Sequence, residues 1–475
     1  MKRNFVRIVS LLLVFILSLT LAGCGNTSTN ESTDADGRRI VKWEVLKAGY
    51  GTVPYEKLAE AFMEKYPDIL VKITFNPNIN STTAAKLETS NNLADVYSTN
   101  DLNGIKRWYS SGWIEPINDV YDMTLESGKK ISESLTERAN EACTYQDNAI
   151  CIPEYTSVKG FVYNKTLFEK YGWSVPTNTN ELSKLCKQIL SDTNNTVAPI
   201  VYCGSAADGY LYFSNGWNYS YSGVANLDTF YSFESAEVFN PDNSKGKLYQ
   251  LQNLKKFFFD EGNFTLAGSS GLTHIVAQSK LIQGECAMMM NGSWFENEMS
   301  SVLESNKDVE LAMFPIPEVA DSSGKVLHAD GYTTEDNKQV IEAEYGSYYF
   351  IPSAASNKDD AKTFLKFLQE ESSCQLYTAN TNAIRPLSYS LDTTDAAYSE
   401  MTSFGKSIIE IANTCYLYCA NPTSPIALKG LTGYWAKGSY PFNDIRDGVL
   451  TASSALEADY KYAKENWSKF ESQVN

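Results

Sequence analysis

The sequence predicts an α/β protein, because β-rich runs alternate with amphipathic helical patterns along most of its 475 residues. Hydrophobic residues make up 43% of the chain and charged residues 20%, a globular composition that excludes collagen, coiled coils and wholesale disorder. At about 150 residues per domain, this length predicts roughly three domains or two large ones. We find no internal repeat, so repeat arrays are excluded as well.

The first predicted unit is a strand, a helix and a second strand. Residues 40–46 are β-rich, Pro54 opens a helix with apolar residues at helical spacing, and residues 69–75 alternate between apolar and polar. A short helix over 84–91 and a strand over 94–97 follow. Strand–helix–strand units of this length imply parallel sheets, with ligands expected outside the carboxyl ends of the strands.

The same alternation continues along the chain. We predict a strand at 161–163, a helix over 179–190, a strand at 199–202 and a helix over 356–370. A C-terminal amphipathic helix is marked by apolar residues on one face, namely Leu456, Tyr460, Ala463, Trp467 and Phe470.

The N-terminus is typical of a secretory signal: a basic start, an apolar run over residues 8–21, and small residues before Cys24. The run is shorter than the roughly 20 residues that span a bilayer comfortably. Residues 21–24 resemble the lipobox of bacterial lipoproteins, which implies that Cys24 is acylated and becomes the mature N-terminus. The alternative is an uncleaved membrane anchor with a chance cysteine. Residues 25–37 hold no apolar residue larger than alanine, so we expect a flexible tether.

Charge and motifs exclude several classes of function. The net charge of −17 disfavours nucleic acid as a partner, and the two histidines leave little room for histidine chemistry. Phosphate-loop, nucleophile-elbow, zinc-protease and dinucleotide motifs are absent, so nothing demands catalysis or a cofactor. Cys143 and Cys151 flank a predicted hairpin and could approach one another, whereas buried thiols are the commoner interpretation for the others. Cys415 and Cys419 lack further zinc ligands, so we predict no metal site.

Aromatic residues are densest between residues 202 and 233, where Trp217 and several tyrosines lie among Gly, Ser and Asn. Their spacing fits neither a helix nor a continuous strand and predicts a loop. Tyrosine and tryptophan offer a flat apolar face with a polar edge, which suits sugars. The alternative is that these rings pack on one another.

Several stretches resemble the extracellular solute-binding proteins of ABC importers. Residues 58–68, 94–97 and 111–117 resemble the family's first lobe, and residues 160–177 resemble the segment that leads into the second lobe. The run GECAMMMNGSW at 284–294 is similar to the family's G-x-x-A-M-x-x-x-G-x-W stretch. Residues 357–368 match its late helix. The resemblance covers residues 40 to 475, and the carbohydrate-binding branch, which includes maltose-binding protein, fits best.

The resemblance implies two α/β lobes joined by a hinge, with an interlobe cleft. We expect the crossings near 153–158 and 345–348, with a return near 385–389. The predicted divisions are a signal peptide (1–23), a tether (24–37), an N-terminal lobe (38–153 and 346–387) and a C-terminal lobe (154–345 and 388–475). Segments 202–233 and 328–344 depart from the family and are expected to be specificity or insertion loops.

The resemblance also implies which residues contact ligand. Trp294 is expected to stack on a sugar, although a buried core tryptophan is the alternative. Asp95 is expected to bond backbone groups rather than ligand. The remaining candidates lie near strand ends, the hinge entrance and the aromatic segments, namely Asn100, Asp101, Tyr155, Ser157, Tyr50, Trp435 and Trp217.

These expectations combine into one functional hypothesis. The chain is a monomeric lipoprotein on the outer face of the cytoplasmic membrane, which captures a carbohydrate by hinge closure and delivers it to an ABC permease. One alternative is a surface-anchored glycoside hydrolase, which needs two opposed carboxylates. Another alternative is a peptide- or polyamine-binding relative of the same fold.

Overall fold

A computed structural model describes residues 33–204, 210–260, 264–334 and 337–474. The predicted signal peptide, Cys24 and most of the predicted tether lie outside the described residues. The strands are β1 (Arg39–Leu46), β2 (Ile69–Asn76), β3 (Val96–Thr99), β4 (Thr144–Tyr145), β5 (Asn148–Ala149), β6 (Ile152–Asn164), β7 (Ala198–Ile200), β8 (Cys286–Gly292), β9 (Leu311–Phe314), β10 (Gln339–Phe350) and β11 (Cys415–Cys419).

The α-helices of the described residues alternate with these strands. They are α1 (Val53–Lys65), α2 (Ile79–Thr89), α3 (Leu102–Ser110), α4 (Asn118–Tyr121), α5 (Ile131–Ser134), α6 (Glu137–Cys143), α7 (Lys165–Tyr171), α8 (Thr179–Asp192), α9 (Asn215–Tyr231), α10 (Lys245–Leu254), α11 (His274–Ile282), α12 (Phe295–Glu298), α13 (Ser300–Leu303), α14 (Lys358–Leu368), α15 (Glu371–Thr381), α16 (Ser403–Thr414), α17 (Pro425–Leu428), α18 (Phe442–Arg446) and α19 (Ala452–Val474).

The first predicted unit is confirmed. Pro54 lies in the first turn of α1, where its missing N–H costs no helical hydrogen bond, and Leu58 and Phe62 are buried. β1 and β2 pair in parallel over their full length, as the alternating pattern of residues 69–75 predicts. β3 begins at Val96, two residues later than predicted.

Asp95, just before β3, bonds backbone groups as expected. Its carboxylate accepts hydrogen bonds from Lys42 N at 2.9 Å and from Asn357 N at 3.0 Å. It thereby ties β1 to the segment that opens α14. The predicted helix over 356–370 is shorter than expected, because α14 ends at Leu368 and a separate helix, α15, begins at Glu371.

The prediction of a loop over residues 202–233 is wrong, because α9 occupies more than half of this segment. Every residue from Asn215 to Gly223 is buried, so the first half of α9 has no polar face and shows no helical periodicity in the sequence. Gly223 has φ 72°, a left-handed conformation that interrupts the helix and that glycine adopts without strain. A helical segment that is buried on all sides therefore lacks the alternation of apolar and polar residues by which helices are predicted from sequence.

One sheet of nine strands runs through the described residues, in the order β2-β1-β3-β10-β6-β8-β7, with β11 beside β10 and β9 beside β6. β1, β2 and β3 are parallel, and β10 runs antiparallel to β3 and β6. The predicted hairpin between Cys143 and Cys151 is formed by β4 and β5. The eight cysteines of the described residues are buried free thiols.

The two largest hydrophobic clusters of the described residues, here called the two cores, lie along this sheet. The first core includes Trp43, Phe62 and Phe364, and the second core includes Phe161, Trp217 and Leu456. β6 is a long strand that passes from the first core to the second, and β10 pairs with it between them. Ile152 of β6 pairs with β10 beside the first core, whereas residues 159–163 of β6 pair with β8 beside the second core.

A third segment, which contains Ile384, also pairs with β6. Thr156 and Ile384 exchange backbone hydrogen bonds of 2.6 and 3.2 Å, immediately before the expected return at 385–389. Three segments thus run side by side between the two cores. The domain boundaries given above stay a prediction.

Candidate binding cleft

The two cores meet at the carboxyl ends of β1 and β8. The Tyr50 hydroxyl, after β1, lies 3.0 Å from Ser293 Oγ, after β8. Ser293 is held in place because its backbone N–H donates to Val158 O at 2.9 Å. A Cβ built on Gly49 would lie 3.4 Å from Trp294 Cβ, so the two loops are in contact. This is the edge at which ligands are expected in such sheets.

Trp294 lies between the cores, because its half-buried ring packs against both of them. The indole covers Gly292, where a Cβ would come within 2.2 Å of the ring. Glycine at position 292 is therefore required for the ring to lie in this place. Phe213 packs against the other side of the site, with its centroid 5.9 Å from that of Trp294.

Tyr155 and Ser157 project from the same face of β6, because successive strand residues alternate between faces. The Tyr155 ring meets that of Tyr50 edge-on at 4.9 Å and stacks on Tyr377 at 6.2 Å. Ser157 is buried, and its hydroxyl donates to Glu344 O at 3.4 Å. Tyr50, Tyr155, Ser157 and Trp294 are therefore brought together, as the resemblance implied, while their role in binding stays a prediction.

A charged cluster continues the same face. Lys159 Nζ lies 3.1 Å from Glu342 Oε1 and 2.9 Å from Glu344 Oε2. Burial favours the neutral amine of Lys159, but the two glutamates outweigh it and raise the pKa above its usual range. The Lys159 side chain is therefore charged at neutral pH. The Lys159 side chain is 3% exposed and that of Glu344 is 53% exposed.

Further aromatic residues extend the wall around this cluster. Lys159 Nζ lies 5.4 Å from the ring centroids of Tyr212 and Phe213. The Tyr212 ring lies 6.3 Å from that of Tyr440. Burial raises the pKa of the Tyr212 phenol, so its hydroxyl stays protonated and can donate a hydrogen bond. Lys159, Glu344 and Ser293 were missed because no local pattern in the sequence brings them together.

Asn100 and Asp101 follow β3, and their side chains contact residues of helices rather than this cluster. Asp101 Oδ1 accepts a hydrogen bond from Gly104 N at 2.7 Å and so caps α3. Asn100 Oδ1 accepts from Asn80 Nδ2 at 2.5 Å, and the Asn100 side chain is exposed. Asp101 is thus already used as a cap, and direct ligand contacts by the two residues stay a prediction.

Trp217 and Trp435 are buried, 0% and 3% exposed respectively, and they belong to the second core. Trp217 stacks on Phe257 at 5.9 Å, and Trp435 lies 4.3 Å from Lys247 Nζ. Neither ring has an exposed face on which a sugar could stack. Both rings contribute to packing of the second core, and contact of either ring with a ligand stays a prediction.

A cavity of about 1070 Å³ lies on the other face of the crossing strands, where it is lined by Thr156 and Tyr345. These residues alternate with Tyr155 and Glu344 along β6 and β10, so they point away from Trp294. Arg138 and Asp228 form an ion pair of 2.8 Å at this cavity. We assign the candidate cleft to the face that carries Trp294, because the predicted site residues Tyr155 and Ser157 lie on that face.

The described residues show neither a metal site nor a membrane span. No group of three or more His, Cys, Asp or Glu side chains is arranged to hold a metal ion. No described helix has both the length and the apolar character needed to cross a membrane.

The fold and the cleft between two cores define a class of protein: a two-lobe binding protein with crossing strands. Residues 48–373 match the bacterial extracellular solute-binding protein family, and the chain belongs to it. The two-lobe periplasmic-binding-protein-like fold predicted from the sequence is confirmed by similar solved structures.

Several relatives carry sugar-binding names. The chain is 20% identical over 354 residues to the melibiose/raffinose/stachyose-binding protein MelE of Bacillus subtilis, covering 72% of this chain and 76% of MelE. It is 23% identical over 373 residues to the multiple sugar-binding protein of Streptococcus mutans, covering 77% and 84% of the two chains. The GacH receptor of Streptomyces glaucescens has a similar structure, with a TM-score of 0.62, 15% identity, and coverage of 90% of this chain and 98% of the receptor.

Proposed function

We propose that this protein is a lipid-anchored extracellular binding protein that captures a carbohydrate and delivers it intact to an ABC importer permease. The observation that carries the proposal is Trp294, whose half-buried ring packs against both cores and which follows Ser293, whose hydroxyl contacts that of Tyr50. Rings of this kind stack on the C–H faces of sugars, while hydroxyl and carboxylate groups pair with sugar hydroxyls. The family and the sugar-binding names of the relatives support the same ligand class.

Capture follows from the arrangement of the crossing strands. A ligand favours the closed arrangement only through contacts that it makes better there. In this site such contacts come from both sides, with Tyr50 beside the first core and Trp294 shared by both. Micromolar affinity corresponds to about −8 kcal/mol of binding free energy.

We infer that the bound sugar is released unchanged. Glycosidases place two carboxyl groups on opposite sides of the scissile bond. Here Glu342 and Glu344 are two residues apart on one face of β10 and share the ammonium of Lys159. The names of the relatives, which describe binding proteins, support the same inference.

The anchor is proposed from the lipobox that ends at Cys24. β1 begins at Arg39, so the interval from Cys24 provides a short tether between the membrane and the first strand. Growth of the source cells with a labelled fatty acid tests this part of the proposal. Label in the protein is the expected result, and a secreted protein without label would contradict the anchor.

The ligand class is tested by calorimetric titration of the purified protein with neutral oligosaccharides, peptides and polyamines. We expect binding of at least one oligosaccharide and no release of reducing sugar from it. Binding of a peptide or polyamine alone, or accumulation of hydrolysis products, would overturn the proposal in favour of one of the two alternatives.

The contribution of Trp294 is tested with the same titration. Trp294→Ala should weaken sugar binding by about 2–4 kcal/mol, because an anchoring ring at the centre of a site carries much of the binding free energy. Trp113→Ala is the matched control, since Trp113 is also half-buried but packs in a separate cluster with Trp108. Equal affinities of the two variants would remove Trp294 from the site.

A further inference from the structure

We propose that Glu344 determines the charge of the saccharide that this cleft accepts: it accepts hydrogen bonds from neutral sugar hydroxyls and excludes sugars that carry carboxylate or sulfate groups. This inference rests on the proposed function, because it names the ligand class of the same cleft. Neither the position of Trp294 nor the aromatic wall distinguishes neutral from acidic sugars.

Glu344 is placed on the cleft face by strand register. It lies opposite Ser157 in the antiparallel pairing of β10 with β6, and directly opposite residues project from the same face. Tyr155 and Lys159 lie two residues before and after Ser157, so their side chains share that face. The Glu344 side chain is 53% exposed, whereas Ser157 and Lys159 are buried. It is therefore a carboxylate that reaches solvent within the site.

One oxygen of this carboxylate remains available to a ligand. Glu344 Oε2 accepts a hydrogen bond from Lys159 Nζ at 2.9 Å, which fixes the carboxylate against the strand. Within the described ranges, Glu344 Oε1 accepts no hydrogen bond. An ionised carboxylate accepts hydrogen bonds only, so its natural partner is a hydroxyl or an amine of the ligand.

The charge balance of the cluster disfavours acidic ligands. A single ammonium, that of Lys159, is shared by the carboxylates of Glu342 and Glu344 at 3.1 and 2.9 Å. Burial raises the pKa of the Tyr50 phenol, the hydrogen bond to Ser293 opposes this, and the nearby negative charge of Glu344 raises the pKa further. An anionic group placed here would meet a like charge, with the nearby cation already engaged.

The test uses Glu344→Gln, which keeps the shape of the side chain and removes its charge. Glu465→Gln is the matched control, because Glu465 lies exposed on α19 and makes the same change in net charge. Each protein is titrated with maltotriose, raffinose and xylotriose, and with trigalacturonic acid as the anionic probe. Circular dichroism and thermal unfolding confirm that each variant is folded.

We expect the wild type and Glu465→Gln to bind a neutral trisaccharide at least about tenfold more tightly than trigalacturonic acid. Glu344→Gln should bind the neutral sugar about 10- to 100-fold more weakly, since a hydrogen bond to a charged group is lost. Its preference for the neutral sugar should shrink as well. In the wild type, added salt should strengthen trigalacturonic acid binding, because salt screens the repulsion.

The outcomes separate this inference from the proposed function. If the wild type binds neutral sugars and Glu344→Gln keeps both the affinity and the preference, the role of Glu344 is overturned while sugar binding stands. Tighter binding of trigalacturonic acid than of any neutral sugar by the wild type would also overturn it. If the wild type binds none of the saccharides, the proposed function itself fails, and this inference fails with it.

Discussion

Removal of the Lys159 ammonium should destabilise the protein more than removal of any exposed lysine. Lys159→Met keeps the length of the side chain but leaves Glu342, which is 10% exposed, without its cation at 3.1 Å. Breaking a buried ion pair by removing one partner costs about 3–5 kcal/mol, because an uncompensated charge remains in a region that water does not reach. We expect a loss of free energy of unfolding in that range.

A double-mutant cycle with Glu342→Gln isolates the interaction. The double variant should recover much of the stability lost in Lys159→Met, with a coupling energy of about 1–3 kcal/mol from urea unfolding followed by tryptophan fluorescence. Lys461→Met is the control, because its ion pair with Glu465 is exposed and spans 3.9 Å. Its loss should be at most about 0.5 kcal/mol.

The stability of Lys159→Met relative to the wild type should depend on pH. Burial raises the pKa of Glu342 even with Lys159 present, and the loss of Lys159 raises it further. A carboxyl group whose pKa is higher in the folded than in the unfolded state binds more protons when folded, so its contribution to stability falls as pH rises. The deficit of Lys159→Met should therefore shrink between pH 7 and pH 5. A deficit under about 1 kcal/mol at pH 7, or no recovery in the double variant, would refute the reasoning.

Two further predictions concern a buried lysine and a glycine. Burial lowers the pKa of Lys247 to about 8, with Asp459 opposing, so the unfolded chain binds more protons above that pH. Relative to Lys247→Met, wild-type stability should rise by about 2–3 kcal/mol between pH 8 and pH 10.5, and parallel curves would contradict this. A Cβ at Gly346 would lie 1.9 Å from Tyr155 Cε2, so Gly346→Ala should weaken sugar binding about tenfold or more by displacing the ring, whereas Gly433→Ala, with open space around its Cβ, should not.

The sequence predicted those elements that bury a single face. α1 and β2 each have one buried face, so their apolar residues recur with periods of 3.6 and 2. α9 was missed because its first half, Asn215 to Gly223, is buried all round, which removes the polar face that produces a period. The prediction of secondary structure thus failed where the segment lies deepest in the protein.

The candidate site was predicted only in part, because its residues meet through strand pairing. Trp294 could be found locally, since Gly292 and the apolar run before it form a recognisable stretch. Lys159 and Glu344 are 185 residues apart, and their contact depends on the register between β6 and β10. Trp217 and Trp435 were proposed as site residues but are buried in the second core. Sequence alone does not distinguish an aromatic residue of the core from one of a binding site.

The register of the crossing strands therefore decides which residues belong to the cleft. Along β6, Tyr155 and Lys159 face Trp294, whereas Thr156 faces the cavity on the other side. A shift of one residue would exchange the two sets, placing Thr156 in the cleft. The pairing is irregular next to Gly346, where the missing side chain leaves room for the Tyr155 ring. Because one strand pair both joins the cores and carries cleft residues, a rearrangement of that pair on binding would move the cores and the binding surface together.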